Sequence, residues 1–121
     1  MYFYRHLYTG PSIRDPEEVK NRLRKGQETR NIYVIALCPG ESVPGSNQLE
    51  FYNGMILKQP YYSLHPPFII GIARGRKEAT ELVCQIVQEA YEHTGSGDVR
   101  AYLFPHGIVT GRASGSGEQE V

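Results

Sequence analysis

FIIGIARGRKEATELVCQIVQEAYEHTG, residues 68–95, decides how this chain is read. Residues 68–73 form a continuous apolar run, the pattern of a strand buried on both faces. Beyond it, Ala79, Leu82, Val83, Ile86, Val87, Ala90 and Tyr91 recur at helical spacing, while Glu78, Glu81, Gln85, Gln88, Glu89 and Glu92 fall on the other side. This predicts a strand followed by an amphipathic helix that packs on a sheet. Between them, Arg74, Arg76 and Lys77 stand where the helix begins. A helix start already carries partial positive charge from its unpaired N–H groups, so these residues add to it unless an anion or a carboxylate intervenes.

Working outward, residues 2–8 alternate as a strand, with Tyr2, Tyr4, His6 and Tyr8 on one face and Phe3, Arg5 and Leu7 on the other. DPEEVKNRLRKG then supplies a full set of helix signals: Asp15 as cap, Pro16 at the first position, Glu18 three after the cap, and Gly26 past the end. Its apolar stripe is little more than Val19 and Leu23. Residues 32–38, IYVIALC, are a second buried-strand run, stopped by Pro39 and Gly40. QLEFYN, residues 48–53, alternates as a half-exposed strand after a Pro, Gly and Ser loop. Pro60, Pro66 and Pro67 exclude any long element from 54–67. VRAYLF, residues 99–104, alternates Val99, Ala101 and Leu103 against Arg100, Tyr102 and Phe104 and reads as a last strand.

The predicted order is β-α-β-β-β-α-β. It corresponds to an α+β domain of two layers with a mixed sheet of about five strands, best described as a ferredoxin-like sandwich with an extra strand. The domain is expected over 1–106 and a flexible tail over 107–121, which is rich in Gly and Ser and lacks aromatic residues. Two apolar strand faces confront one strong and one weak helix. The first strand, the 54–67 segment or a second copy of the chain is expected to cover the remainder, and a homodimer is the expectation.

The 121 residues include 13 basic and 13 acidic side chains, a balance that argues against a dedicated nucleic-acid protein. No apolar run approaches the roughly 20 residues that span a bilayer, and the first residues lack the layout of a secretory signal, so a soluble, cytoplasmic protein is expected. Cys38 and Cys84 lie in different predicted elements without metal-ligand spacing and read as buried or half-buried reduced thiols.

Chemistry-bearing candidates are few. Gly71 and Gly75 enclose three residues and are followed by Arg76, Lys77 and Glu78, which matches neither the Walker spacing nor GxGxxG. What remains is an anion-attracting turn made of Arg74, Gly75, Arg76 and Lys77, suited to a phosphate-bearing small molecule. Its plain alternative is a solvated first turn, with Arg74 near Glu78 and Lys77 four before Glu81. The histidines His6, His65, His93 and His106 are scattered. His6 shares a strand face with tyrosines, a pairing capable of acid and base work, but no nucleophile or paired carboxylate accompanies it. Tyr61, Tyr62 and His65, on a proline-stiffened loop, join His6 as candidates for a pocket rim. No catalytic residue, metal site or cofactor is assigned.

YRHLYTG at residues 4–10, IYVIAL followed by QLEFYN, and GIARGRKEATELV before EAYEHTG resemble a group of short bacterial proteins of unassigned function. The likeness spans most of residues 4–104. It implies a small intracellular bacterial domain and carries over no activity, cofactor or catalytic residue. The leading expectation is a non-enzymatic binding or interaction module that self-associates. The competing one is a ligand-binding domain or small enzyme that holds a phosphate-bearing molecule at 71–77.

Overall fold

The apolar run at residues 68–73 forms the body of an interior strand with helices on both of its faces. The computed structural model describes residues 2–29, 31–37, 49–95 and 98–104, together with the backbone of 119–120. Four strands, β1 (Tyr2–Thr9), β2 (Ile32–Leu37), β3 (Leu49–Asn53) and β4 (Phe68–Arg74), lie in the order β3-β2-β4-β1. The helices are α1 (Pro16–Lys25), α2 (Pro60–Leu64), α3 (Arg76–Thr94) and α4 (Val99–Leu103), with a 3-10 helix over Gly54–Lys58. The architecture is α+β with a mixed sheet. Of the expected tail at 107–121, only the backbone of Gln119–Glu120 is described, and it pairs parallel with Tyr2 and Phe3. Cys38, His106 and the rest of the tail lie outside the described residues.

Strand direction corrects one expectation. β1 runs parallel to β4, while β2 runs antiparallel to β4 and to β3. β1 and β2 therefore point in opposite directions, so α1 does not close a β-α-β crossover and the β1-α1-β2 segment is not the split unit of a ferredoxin-like sandwich. β1 and β4 are parallel and in direct contact, with α1, β2, β3, the 3-10 helix and α2 between them in sequence.

The two-layer expectation is also corrected. On one face Ile35, Leu37, Ile70 and Ala73 meet Ala79, Leu82, Ile86 and Ala90 of α3 and Val99 and Leu103 of α4. On the other, Phe3, Ile32, Val34, Ile69 and Ile72 meet Val19 and Leu23 of α1, with Leu57 of the 3-10 helix packed alongside. The sheet is thus sandwiched between helices of the same chain. α1 does more than its short apolar stripe promises because Lys20 is also buried: its ammonium pairs with Glu17 at 3.1 Å and stands 5.5 Å from the Phe3 ring centroid.

A bulge at Ile70 gives β4 two successive side-chain positions on the α3 face. Ile69 pairs with Ala36 and Gly71 with Ile35, leaving Ile70 as an extra residue between them. A Cβ on Gly71 would stand 3.2 Å from Ile35 and 3.3 Å from Leu82, so glycine lets α3 approach the sheet closely.

The strand expected at 99–104 is the helix α4. Asp98 accepts a hydrogen bond from the Ala101 N–H at 3.0 Å, capping the turn, and Val99 and Leu103 reach the core at a spacing of i, i+4. In a segment this short, that spacing looks the same as strand alternation. Cys84, expected to be at least half-buried, is exposed, because its position on α3 falls outside the stripe formed by Leu82 and Ile86. Val87 and Tyr91, expected within that stripe, are exposed too. Among the described residues, no helix is long and apolar enough to cross a membrane.

Candidate functional site

β1 and β4 lie side by side, run in the same direction, and end at Thr9 and Arg74 on the same side of the molecule. From there the chain departs to opposite faces. Residues 10–15 carry it to α1 on the Phe3 face, and Gly75 carries it to α3 on the Ile70 face. Adjacent parallel strands whose helices leave in opposite directions hold their loops apart, and open α/β sheets bind ligands in that crevice. Here it is a cleft of about 650 Å³, a volume typical of small-molecule sites.

Ser12, Arg14 and Asp15 line it from the first loop, Glu18 and Arg22 from α1, Glu28, Thr29 and Asn31 from the segment leading into β2, and Arg74 from the end of β4. Most of the carboxylates are engaged within the fold. Asp15 accepts from the Glu18 N–H at 3.2 Å as the cap of α1, Glu18 pairs with Arg22 at 2.9 Å, and Glu28 also has a partner. The guanidinium groups of Arg14 and Arg74 have no ion pair at salt-bridge distance among the described residues.

The turn behind Arg74 is occupied by the protein's own carboxylate. Glu78 Oε2 accepts from the Arg74 N–H at 2.6 Å and from Ser12 Oγ at 2.7 Å, and Oε1 accepts from the Ser12 N–H at 3.0 Å. Burial pushes the Glu78 carboxyl up, but these hydrogen bonds and the Arg74 charge outweigh it and hold the group below the ordinary carboxylate value. Gly10 makes room for the arrangement, since a Cβ there would overlap the Glu78 side chain. The Gly75 N–H is likewise committed, donating to Asn31 O at 2.8 Å. With φ 83° and ψ 157°, Gly75 occupies a region essentially closed to other residues.

The expected quartet at 74–77 therefore divides. Arg74 faces the cleft, the N–H groups of Arg74 and Gly75 are already bonded, and Arg76 and Lys77 are exposed on the first turn of α3. Sequence reasoning missed Ser12 and Arg14. The available signal was GPSIRD, a glycine-containing loop that leads from a strand into a capped helix, as GIARGRKEAT does.

The expected pocket rim does not converge. His6 is exposed on β1 and meets Tyr4 edge-on at 5.8 Å, on the side of the sheet opposite β3. The Tyr61 and His65 rings lie 4.6 Å apart in a tilted arrangement, and Tyr62 lies 5.6 Å from Tyr52 of β3. Nor does the tyrosine face of β1 hold a poised base. Burial and a 2.7 Å hydrogen bond donated to Glu89 push the Tyr8 phenol well above its ordinary value, so it stays protonated. Among the described residues, no group of three His, Cys, Asp or Glu is placed to hold a metal ion. Comparison with family models, with curated proteins and with solved structures finds no match.

Proposed function

We propose that this domain binds a small phosphate-bearing molecule in the cleft between the 10–15 loop and Arg74. The observation that carries this is the pair of guanidinium groups, Arg14 and Arg74, on separate loops at the carboxyl ends of two parallel strands. Neither has an ion pair at salt-bridge distance among the described residues, although the Arg74 charge also acts on Glu78, whereas Asp15, Glu18 and Glu28 are engaged within the fold. Two arginines approaching from different loops suit the several oxygens of one phosphate, which a planar fork can take two at a time. The ligand sits beside the 71–77 turn rather than on it, because Glu78 holds the place an anion would take there. Binding rather than catalysis is proposed: the Ser12 hydroxyl beside the cleft donates to Glu78, a carboxylate already committed to the Arg74 and Ser12 N–H groups.

A thermal-shift screen of phosphorylated metabolites, followed by titration calorimetry on the hits, tests this. At a hundredfold excess over the dissociation constant, a true ligand stabilises by about 2.7 kcal/mol. Arg14→Ala and Arg74→Ala should each weaken binding about tenfold, the loss of one charge-assisted contact. Arg76→Ala should leave it unchanged. A screen without hits, or equal sensitivity to Arg76→Ala, counts against the assignment.

Self-association is the second reading, and its support has moved. Both sheet faces are covered within the chain, so the sheet no longer calls for a partner. On α2, however, Leu64 is 79% exposed and Tyr61 is 56% exposed, a small apolar patch beside the edge strand β3. Light scattering across micromolar concentrations should then give a dimer that Leu64→Lys dissociates. A monomer at every concentration contradicts it.

A further inference from the structure

A second cleft, of about 420 Å³, lies at the other end of α1, between its last turn, the 3-10 helix and α2. Its charge is one-sided: among the described residues, Arg22, Arg24, Lys25 and Lys58 line it and no Asp or Glu does. That concentration needs an explanation in a chain whose basic and acidic residues balance at 13 each. The helix dipole accounts for part of it, since cations favour a helix C-terminus. Two of the last carbonyls are nevertheless already satisfied, because the Gln27 N–H donates to Arg22 O at 3.0 Å and the Gly26 N–H to Leu23 O at 3.4 Å. The dipole also says nothing about Lys58, which arrives from a different element.

Two of the four cations have work within the fold. Arg22 pairs with Glu18, and Arg24 bonds Asn21 at 3.2 Å and lies 5.1 Å from the Phe3 ring centroid. Lys25 and Lys58 have no ion pair among the described residues. Tyr62 adds a hydroxyl to the lining. Burial, then Glu50 and Tyr61, push its phenol above the ordinary value against a smaller opposing pull from Tyr52, so at neutral pH it keeps its proton and can donate.

We propose that this cleft is a second anion site, which takes a small polyphosphate between Lys25 and Lys58 with Tyr62 on its wall. Ammonium groups on flexible stems act as point charges and suit a chain of phosphates, whereas a single bidentate oxyanion favours arginine. A small ligand fits better than nucleic acid, because a cleft of this size between three short elements offers no extended basic track.

The test is titration calorimetry with inorganic tripolyphosphate on the Arg74→Ala protein, in which the first cleft is weakened about tenfold and Lys25 and Lys58 are untouched. Binding should persist there and weaken steeply with added salt. It should fall at least tenfold in the Arg74→Ala background when Lys25→Gln and Lys58→Gln are combined, with the melting temperature unchanged because both lysines are exposed. Absence of binding at low salt overturns the proposal, as does insensitivity to the two lysine changes. A single-stranded oligonucleotide that binds more tightly than tripolyphosphate through the same lysines also overturns it, in favour of a nucleic-acid surface.

Discussion

Two helices begin beside the same cleft, and each has a carboxylate near its start that is used in a different way. α1 is capped locally: Asp15 takes the Glu18 N–H, and Pro16 removes one donor altogether. α3 has no capping side chain at Gly75. Its carboxylate comes from Glu78, inside the first turn, and reaches back to Arg74 and across to Ser12, 66 residues away in sequence. The first cap stabilises one helix. The second also fastens the β1–α1 loop to the start of α3, which holds one wall of the cleft against the other. Positive residues after a glycine are therefore poor evidence for a bound anion until the nearest carboxylate has been placed.

This contrast gives a ranked set of expected effects. Glu78→Ala should be the costlier change, at about 2 kcal/mol, since three hydrogen bonds to a charged acceptor are lost and exposure of Ser12 and Arg74 discounts each of them. Thermal denaturation would then show a fall of roughly 6–10 °C for a chain of this size. It should also weaken ligand binding in the cleft, because the loop bearing Arg14 is no longer tied down. Equal losses from Glu78→Ala and from an Asp15 variant would erase the distinction between the two caps.

Acid should act on the same feature. The folded Glu78 carboxyl lies below its ordinary value of 4.5, so its contribution is complete above that value and is lost as pH falls through the folded value. Glu78→Gln should accordingly lose less stability than the original protein on acidification below pH 4.5, measured by denaturant unfolding at a series of pH values. Parallel curves would mean that Glu78 titrates as an exposed carboxylate. The smallest effect belongs to Asp15→Ala, at about 1 kcal/mol, with ligand affinity unchanged because this cap ties down nothing beyond its own helix.

Much of the fold is legible in the chain because local rules write it. Asp15, Pro16 and Gly26 bound α1 where the structure has it, and the stripe from Ala79 to Ala90 buries against the sheet. Legibility fails where the deciding interactions are long-range. Nothing local says that β1 lies next to β4, so sequence alone joins through α1 two strands that run in opposite directions. The Ile70 bulge is likewise invisible, and the reach of α1 is hidden because the burial of Lys20 depends on the Phe3 ring beneath it. Val99 and Leu103 fit either periodicity, and only the Asp98 cap distinguishes them.

The candidate site follows the same division. Arg74 stands out in sequence as a charge anomaly, and Glu78 as a carboxylate near enough to answer it. That the same carboxylate binds Ser12, and that Arg14 and Arg74 line one cleft, depends on two strand ends meeting in space.

The most direct measurement is an amide chemical-shift titration of the isotopically labelled protein with a phosphorylated hit from the screen or, failing one, inorganic phosphate. The account predicts saturable shifts at Ser12, Arg14, Asn31 and Arg74, the residues that border the cleft. Shifts confined to Arg76 and Lys77, or none at the ends of β1 and β4, would contradict it.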